Sequence, residues 1–328
     1  MCGIVAYVGP KQAESLLIEG LKRLEYRGYD SAGVAIVGDE GLNVVRAQGR
    51  ISVLEDRLED LGGAPGTLGI AHTRWATHGP PTEANAHPHR DSSGRLAVVH
   101  NGIIENYTAL RQYLEQHGHA FTSDTDTEVL AKLIGQIHSD GGKTLEQAVR
   151  AALREVTGAY AIAVVCADEP NTLVVARKGS PLLIGLGNQH FVAASDATAI
   201  VSHTTQVIAL DDYQMARLTV NGNDPEIRTS TIDNVTVTPD VYELECDLQQ
   251  IELRGYDHFM LKEIMEQPHA LTDALRGRID RREGRVVLGG LANHSRDLVR
   301  ARRVILTGQG TAFHACMIGE YLLEELAK

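Results

Sequence analysis

The stretch MCGIVAYVGP, residues 1–10, carries the pattern on which the predicted fold depends. Residues 3–8 are apolar or small and run into a Gly-Pro turn, which is typical of a buried strand. The small residue at position 2 favours removal of Met1, after which Cys2 carries both a thiol and a free α-amino group. An α-amino group has an ordinary pKa of about 7.7–8.0 and can accept the thiol proton, so one residue can supply nucleophile and base. The dipeptide alone is better explained by chance, so the hypothesis depends on the rest of the chain.

The composition is that of an acidic globular protein. The chain has 328 residues, 43% of them hydrophobic, and a net charge of −12, which predicts one large domain or two and disfavours nucleic acid and anionic membranes as partners. No apolar run is long enough to span a membrane, and no signal peptide pattern is evident. The four cysteines are too widely spaced for a zinc motif or a disulfide framework, so we expect a reducing, cytoplasmic setting: Cys2, Cys166, Cys246 and Cys316.

The order of the secondary-structure patterns predicts an α+β fold. Residues 1–220 are rich in short strand patterns at hairpin-like spacing, with helical patterns between them, which favours antiparallel over doubly wound sheets. From 221 to about 254 the chain is polar and turn-rich, and we interpret it as a linker. An amphipathic helix interrupted near Pro268 follows. The segment 302–311 then predicts a strand that enters a glycine turn and a final helix, the first unit of a parallel α/β domain that lacks its partner strands.

An acyl-transfer nucleophile needs donors for its oxyanion, and the segment VVHNGIIEN offers two. Asn101 can present its side-chain amide, and Gly102 its backbone N–H, where an apolar strand ends. The alternative is an ordinary hairpin turn, which the Asn-Gly dipeptide favours.

A second dense segment, AHTRWATHGPPTEANAHPH, begins at the end of another predicted strand. Arg74 can grip a carboxylate through two parallel hydrogen bonds, and Thr77 and His78 add neutral polar groups. Trp75 is a candidate lid. The alternative is a solvated loop with one aromatic anchor. Four histidines lie in or beside this loop without the spacing of a metal site, and we predict no metal: His72, His78, His87 and His89.

Two acidic residues precede a predicted helix in the segment TSDTDTE. A helix cap explains one of them, and Asp126 is then available to pair with an ammonium group. A fixed cation at Arg74 and a fixed anion at Asp126 suit a free amino acid, which carries carboxylate and ammonium on one carbon.

Six segments in this order and spacing resemble the class II glutamine amidotransferase family: MCGIVAYVG, LEYRGYDSAG, AHTRWATHG, NAHPH, VVHNGIIEN and SDTDTE. The resemblance implies an N-terminal-nucleophile (Ntn) fold, a four-layer αββα sandwich, over residues 2–220. It further implies a linker and connecting helix over 221–285 and the incomplete start of a sugar-isomerase domain over 286–328.

The resemblance also implies a role for each matched residue. Cys2 would be the nucleophile, Asn101 and Gly102 the oxyanion hole, and Arg27 and Tyr29 would support the N-terminal residue. The remaining roles are glutamine binding, ammonia gating and a sugar-phosphate contact: Arg74, Thr77, His78 and Asp126 for glutamine, Trp75 for the gate, and Gly310 and Thr311 for the phosphate. The aligned loop reads Gln309-Gly310-Thr311-Ala312, without the serine that this family uses there.

The activity implied by the resemblance is hydrolysis of L-glutamine without a cofactor. The similarity is greatest to the family members that pass the ammonia to fructose 6-phosphate and form glucosamine 6-phosphate, commonly as homodimers. The chain as it stands is expected to act as a glutaminase only. Two alternatives stay open: another class II amidotransferase, and a non-catalytic module that binds an amino acid or a sugar phosphate.

Overall fold

The computed structural model describes residues 2–76, 79–222, 224–244, 256–275, 278–280, 283–286, 295–308 and 310–326. The chain divides into two compact units, Met1–Glu252 and Leu253–Lys328. The predicted roles of Thr77, His78 and Gln309 fall outside the described residues. Within the described part of the chain, no helix is both long and apolar enough to cross a membrane.

The first unit contains fourteen strands and five α-helices among its described residues. In chain order they are β1 (Gly3–Val8), α1 (Ala13–Leu24), β2 (Ser31–Gly38), β3 (Gly41–Gln48), α2 (Ile51–Asp60), β4 (Leu68–Arg74), β5 (His89–Arg90), β6 (Leu96–Ile104), α3 (Tyr107–Gln116), α4 (Asp126–Ser139), α5 (Leu145–Glu155), β7 (Gly158–Cys166), β8 (Thr172–Lys178), β9 (Leu183–Leu186), β10 (Phe191–Ala194), β11 (Gln206–Ala209), β12 (Gln214–Asn221), β13 (Asp224–Thr231) and β14 (Val241–Glu243).

These strands form two sheets. The eight-stranded sheet has the order β14-β11-β9-β10-β1-β4-β2-β3, and the six-stranded sheet has the order β13-β12-β8-β7-β6-β5. Every pairing between these described strands is antiparallel. The predicted α+β class with antiparallel sheets is therefore confirmed.

Three hydrophobic clusters separate four layers, in agreement with the predicted αββα order. In β1, Ile4 packs between the two sheets, whereas Val5 packs toward α1 and α2 on the outer face. In β6, Val99 packs between the sheets and Val98 toward α3–α5. This alternation follows from the two-residue period of a strand, and it buries both faces of each sheet.

The helix that carries Asp126 begins at a well-defined cap. The Thr125 side chain accepts a hydrogen bond from the Glu128 backbone N–H, which satisfies one of the unpaired donors at the start of α4. The first helical residue of α4 is Asp126. The cap therefore fixes where the helix begins, and with it the position from which the Asp126 side chain projects.

Two strands lie in the segment predicted as a linker. β13 pairs along its whole length with β12, and β14 pairs with β11. Edge strands need only one partner and one buried face, so a polar sequence such as DPEIRTST can form one without the apolar run used to recognise core strands. The domain boundaries proposed from sequence stay a prediction.

The second unit differs from the sequence prediction at two points. Its described elements are α6 (Phe259–Leu275), β15 (Ile279–Asp280), β16 (Arg285–Val286), α7 (Ser295–Arg300) and α8 (Thr311–Leu326). α6 continues through Pro268, because proline keeps a helical φ and removes only one N–H donor. Residues 301–308 form no strand, since the only strand pair among this unit's described residues is β15 with β16.

Four histidines are buried at one end of the sandwich. His72 on β4 and His100 on β6 are almost inaccessible, as are His87 and His89. The ring centroids of His72 and His87 lie 4.2 Å apart, and those of His87 and His89 lie 5.0 Å apart. Burial lowers the pKa of His72 and of His89 to about 3 and that of His87 well below its usual value, so these rings are neutral near pH 7.

This histidine cluster makes the free energy of unfolding depend on pH. Between the unfolded pKa of about 6.5 and the folded value, the unfolded chain binds more protons than the folded chain, so the free energy of unfolding falls as pH falls. His89→Gln is expected to reduce that slope by up to about 1.4 kcal/mol per pH unit below pH 6.5, measured by denaturant unfolding at several pH values. His117→Gln, at the exposed end of α3, is the control. An unchanged slope in His89→Gln would contradict the buried neutral ring.

Candidate active site

Cys2 lies directly before β1 and is held from two sides. Its Sγ accepts a hydrogen bond from the Trp75 N–H at 3.3 Å and can donate to the Trp75 carbonyl at 3.5 Å. Its carbonyl oxygen accepts a hydrogen bond from Asn101 Nδ2 at 3.3 Å. Burial raises the pKa of the Cys2 thiol, and the Trp75 N–H and the charges of Arg74 and Arg27 only partly offset this. The thiol is therefore protonated near neutral pH and needs a base to react as a thiolate.

Asn101 and Gly102 lie inside β6 and form no hairpin turn. They pair with Ala161 and Tyr160 of β7. Gly102 has a φ of +143°, and a Cβ there would lie 2.0 Å from the Ala159 carbonyl oxygen on the neighbouring strand. Only glycine fits this close approach, so the sequence signal at this position reflects packing between strands as well as the local backbone.

Arg74, at the end of β4, is almost completely buried. Its guanidinium donates to the carbonyl oxygens of Gly79 and Pro80 at 3.4 and 3.3 Å. Burial lowers the pKa of Arg74, whereas the nearby Cys2 and Asp126 act in the opposite direction. With an ordinary pKa above 12, the side chain remains a cation.

Asp126 is buried opposite this cation. Its Oδ2 accepts a hydrogen bond from the Ile104 N–H at 2.8 Å and lies 3.9 Å from His100 Nδ1. His100 Nδ1 lies 3.0 Å from the Thr127 hydroxyl. The carboxylate is thus fixed at the start of α4 by neighbours on β6.

Cys2, Arg74 and Asp126 line one cavity of about 30 Å³. Its lining among the described residues consists of Cys2, Arg74, Trp75, His87, His100, Gly102, Thr125, Asp126 and Thr127. The structure thus brings together the predicted nucleophile, one predicted oxyanion donor and the two charged residues among the four predicted glutamine contacts.

Arg27 is linked by hydrogen bonds through Ser195 to β1, the strand that follows Cys2. Its guanidinium pairs with Asp196 at 2.8 Å and donates to the Ser195 carbonyl at 3.4 Å. The Ser195 hydroxyl accepts a hydrogen bond from the Ile4 N–H at 3.0 Å. In the neighbouring loop, Asp30 accepts a hydrogen bond from the Ala76 N–H at 2.8 Å.

Tyr29 and Trp75 form an edge-to-face pair with ring centroids 5.9 Å apart, and both rings are partly exposed. Gly310 and Thr311 belong to the second unit, where Thr311 is the first residue of α8. The predicted roles of Tyr29 and Trp75 at the nucleophile and the ammonia gate, and of Gly310 and Thr311 at a sugar phosphate, stay predictions.

One group outside this cavity has metal-ligand chemistry. Ligand atoms of His138, Cys166 and Asp168 lie within 4.8 Å of one another. Burial raises the pKa of Cys166 to about 11, and Asp168 is paired with Arg95. A metal would have to displace both the thiol proton and the guanidinium, so this donor set is poorly suited to one.

Sequence reasoning missed one contact of the site. His72 Nε2 lies 2.9 Å from Asn101 Oδ1, although the sequence singled out His72 only as a metal candidate. The strand period offered a signal, because His72 is two residues from Arg74 on one strand and therefore shares its face. Which residue it would meet on the other sheet could not be read from the sequence.

Comparisons with known proteins agree with this geometry. Residues 54–257 match a family profile described as a glutamine amidotransferase domain. The chain is 51% identical over 333 residues to the glutamine–fructose-6-phosphate aminotransferase (isomerizing) of Chlorobaculum tepidum, and 47% identical over 331 residues to that of Bacteroides thetaiotaomicron. All of this chain is covered in both comparisons, against 53% of each relative, so the chain spans about half the length of these relatives.

A solved structure also has a similar fold. The glutamine phosphoribosylpyrophosphate amidotransferase of B. subtilis, complexed with ADP and GMP, superposes with a TM-score of 0.60 at 29% identity, over 70% of this chain and 49% of that one. The predicted Ntn-type sandwich is thereby confirmed. The chain belongs to the glutamine amidotransferase family.

Proposed function

We propose that this chain hydrolyses the side-chain amide of L-glutamine, with Cys2 as nucleophile and, after removal of Met1, the Cys2 α-amino group as base. The observation that carries the proposal is the convergence of Cys2, Arg74 and Asp126 on one cavity, with the Asn101 amide bonded to Cys2. The raised pKa of the thiol explains why a base on the same residue is useful.

The proposed reaction has two acyl-transfer steps. Cys2 Sγ attacks the glutamine amide carbon while its proton passes to the α-amino group, and Asn101 Nδ2 and the Gly102 N–H donate to the oxyanion. Collapse breaks the C–N bond, the ammonium returns its proton, and ammonia leaves a γ-glutamyl thioester. Water then attacks the thioester with the amine as base, which releases glutamate and restores the thiol.

Substrate recognition is proposed to rest on two buried charges. Arg74 would bind the α-carboxylate and Asp126 the α-ammonium, with Thr77 and His78 completing the site. Both groups line the same cavity, so a zwitterion bound there would neutralise both. Arg27 would support the nucleophile through Ser195 and Ile4, with Tyr29 beside it.

The fate of the ammonia is proposed from the relatives. Their name supports transfer of the amino group to fructose 6-phosphate in a complete enzyme. Glucosamine 6-phosphate as the product and a homodimer as the assembly are proposed from the family resemblance alone. Trp75 would gate the ammonia, and backbone N–H groups at Gly310 and Thr311 would contact the sugar phosphate. A reducing, cytoplasmic setting is supported by the free thiols at Cys2, Cys166 and Cys316.

Removal of the nucleophile tests the first step. Cys2→Ala is expected to lower the rate of glutamate release from glutamine by at least about 10³-fold, because no other group in the site can form the thioester. Cys316→Ala is the matched control and is expected to keep wild-type turnover.

An extension ahead of Cys2 blocks the amine and is expected to lower kcat while leaving the thiol present. Full activity of the Cys2→Ala variant would overturn the mechanism, and glutamine binding without turnover by a chain with a free Cys2 terminus would favour the binding-module alternative.

A charge-neutral substitution tests the ammonium contact. Asp126→Asn can still accept from the Ile104 N–H but loses the charge, so we expect KM for glutamine to rise about 10–100-fold with a smaller change in kcat. Asp124→Asn, in the same loop, is the matched control with little expected change. N-acetylglutamine lacks the ammonium group. Its KM is therefore expected to differ much less between wild type and Asp126→Asn than the KM for glutamine does. Equal KM values for glutamine in both proteins would contradict the assignment.

A further inference from the structure

We propose that His72 is a positioning residue that orients the Asn101 amide, so that its NH₂ group, rather than its carbonyl oxygen, faces Cys2 and the oxyanion. This inference rests on the proposed function and deepens it. His72 would act through Asn101 without touching the substrate.

The contact joins the two sheets. His72 lies on β4 of the eight-stranded sheet, and Asn101 lies on β6 of the six-stranded sheet. In each strand the residues two positions earlier, Ile70 and Val99, pack in the core between the sheets, so both polar side chains also point into that gap. There His72 Nε2 meets Asn101 Oδ1 at 2.9 Å.

The amide needs this partner because its two ends are nearly the same shape. Asn101 donates from Nδ2 to the Cys2 carbonyl at 3.3 Å. Rotation by 180° would place Oδ1 against that carbonyl and against the developing oxyanion, where it repels both. A carbonyl oxygen only accepts hydrogen bonds, so a donor at Oδ1 selects the productive orientation.

His72 is suited to be a permanent donor. Burial lowers its pKa to about 3, so the ring is neutral and carries a single N–H throughout the working pH range. The tautomer with its proton on Nε2 is the one that can donate to Asn101 Oδ1, and the proposal requires it. A neutral ring also places no further positive charge beside Arg74, and it takes no proton from Cys2.

Two variants that differ only in reach test the role. His72→Gln places an amide N–H near the position of Nε2, whereas the shorter side chain of His72→Asn stops before Asn101. We expect His72→Asn to lose about 10²–10³-fold in kcat, the effect of losing one oxyanion donor, with KM within a few-fold of wild type. His72→Gln is expected to recover to within about 10-fold of wild type. His203→Asn, which removes a partly buried imidazole outside the cavity lining, is the control for loss of an imidazole.

Alkylation separates positioning from structural damage. Iodoacetamide reacts with the Cys2 thiol without an oxyanion hole, so its rate in His72→Asn, followed by the mass of the N-terminal peptide, is expected to stay near the wild-type rate. The pH profile of kcat in His72→Gln is expected to keep the wild-type shape, since His72 does not titrate in that range. A parallel loss of alkylation and turnover would instead indicate a structural role and overturn the proposal.

The outcomes distinguish this inference from the proposed function. If Cys2→Ala is inactive and His72→Asn keeps the wild-type kcat, only the role of His72 falls. If Cys2→Ala remains active, the nucleophile assignment falls and the role of His72 falls with it.

Discussion

The proposed site depends on one constraint: Cys2 can act as a nucleophile at the end of a chain only if it is immobilised. Chain termini are ordinarily the most mobile part of a domain. Here β1 is an interior strand, paired with β10 on one side and β4 on the other, and both of its faces are buried. Residues two before and two after a strand position share its face, so Cys2 points with Ile4 into the gap between the sheets. The terminus is therefore as firmly held as the core.

The same geometry carries several of the remaining groups on strands and a helix. β4 runs antiparallel to β1, so the end of β4 lies beside the start of β1 and brings His72 and Arg74 to Cys2. β6 brings Asn101 from the opposing sheet. α4 contributes Asp126 at its capped start. Three layers of the sandwich thus meet at one end, where burial raises the pKa of the thiol and keeps the neighbouring histidines neutral.

Much of this could be predicted from the sequence. The helix predicted after the TSDTDTE segment is present as α4, because apolar periodicity and caps are local signals. Weak local signals explain the differences. The edge strand β13 is polar along its exposed face, so its pattern is weak. Pro268 predicts an interruption, but the helix is continuous on both sides of it. A strand at 302–308 had a local pattern but has no partner among the described residues of its unit.

The sequence by itself determined the α+β class, the antiparallel pairing, the buried first strand and the residue types of an amide-hydrolysing site. These follow from patterns within a few residues of each other and from the ordered motifs of the family. Only the tertiary structure decided which faces meet. It shows that Asn101 bonds to Cys2 and that His72 reaches Asn101 across the two sheets. It also shows that Arg27 donates to Ser195 and that Ala159 on the next strand leaves room only for glycine at position 102. Those contacts join residues far apart in the chain, and their distances depend on sheet packing, which no local pattern encodes.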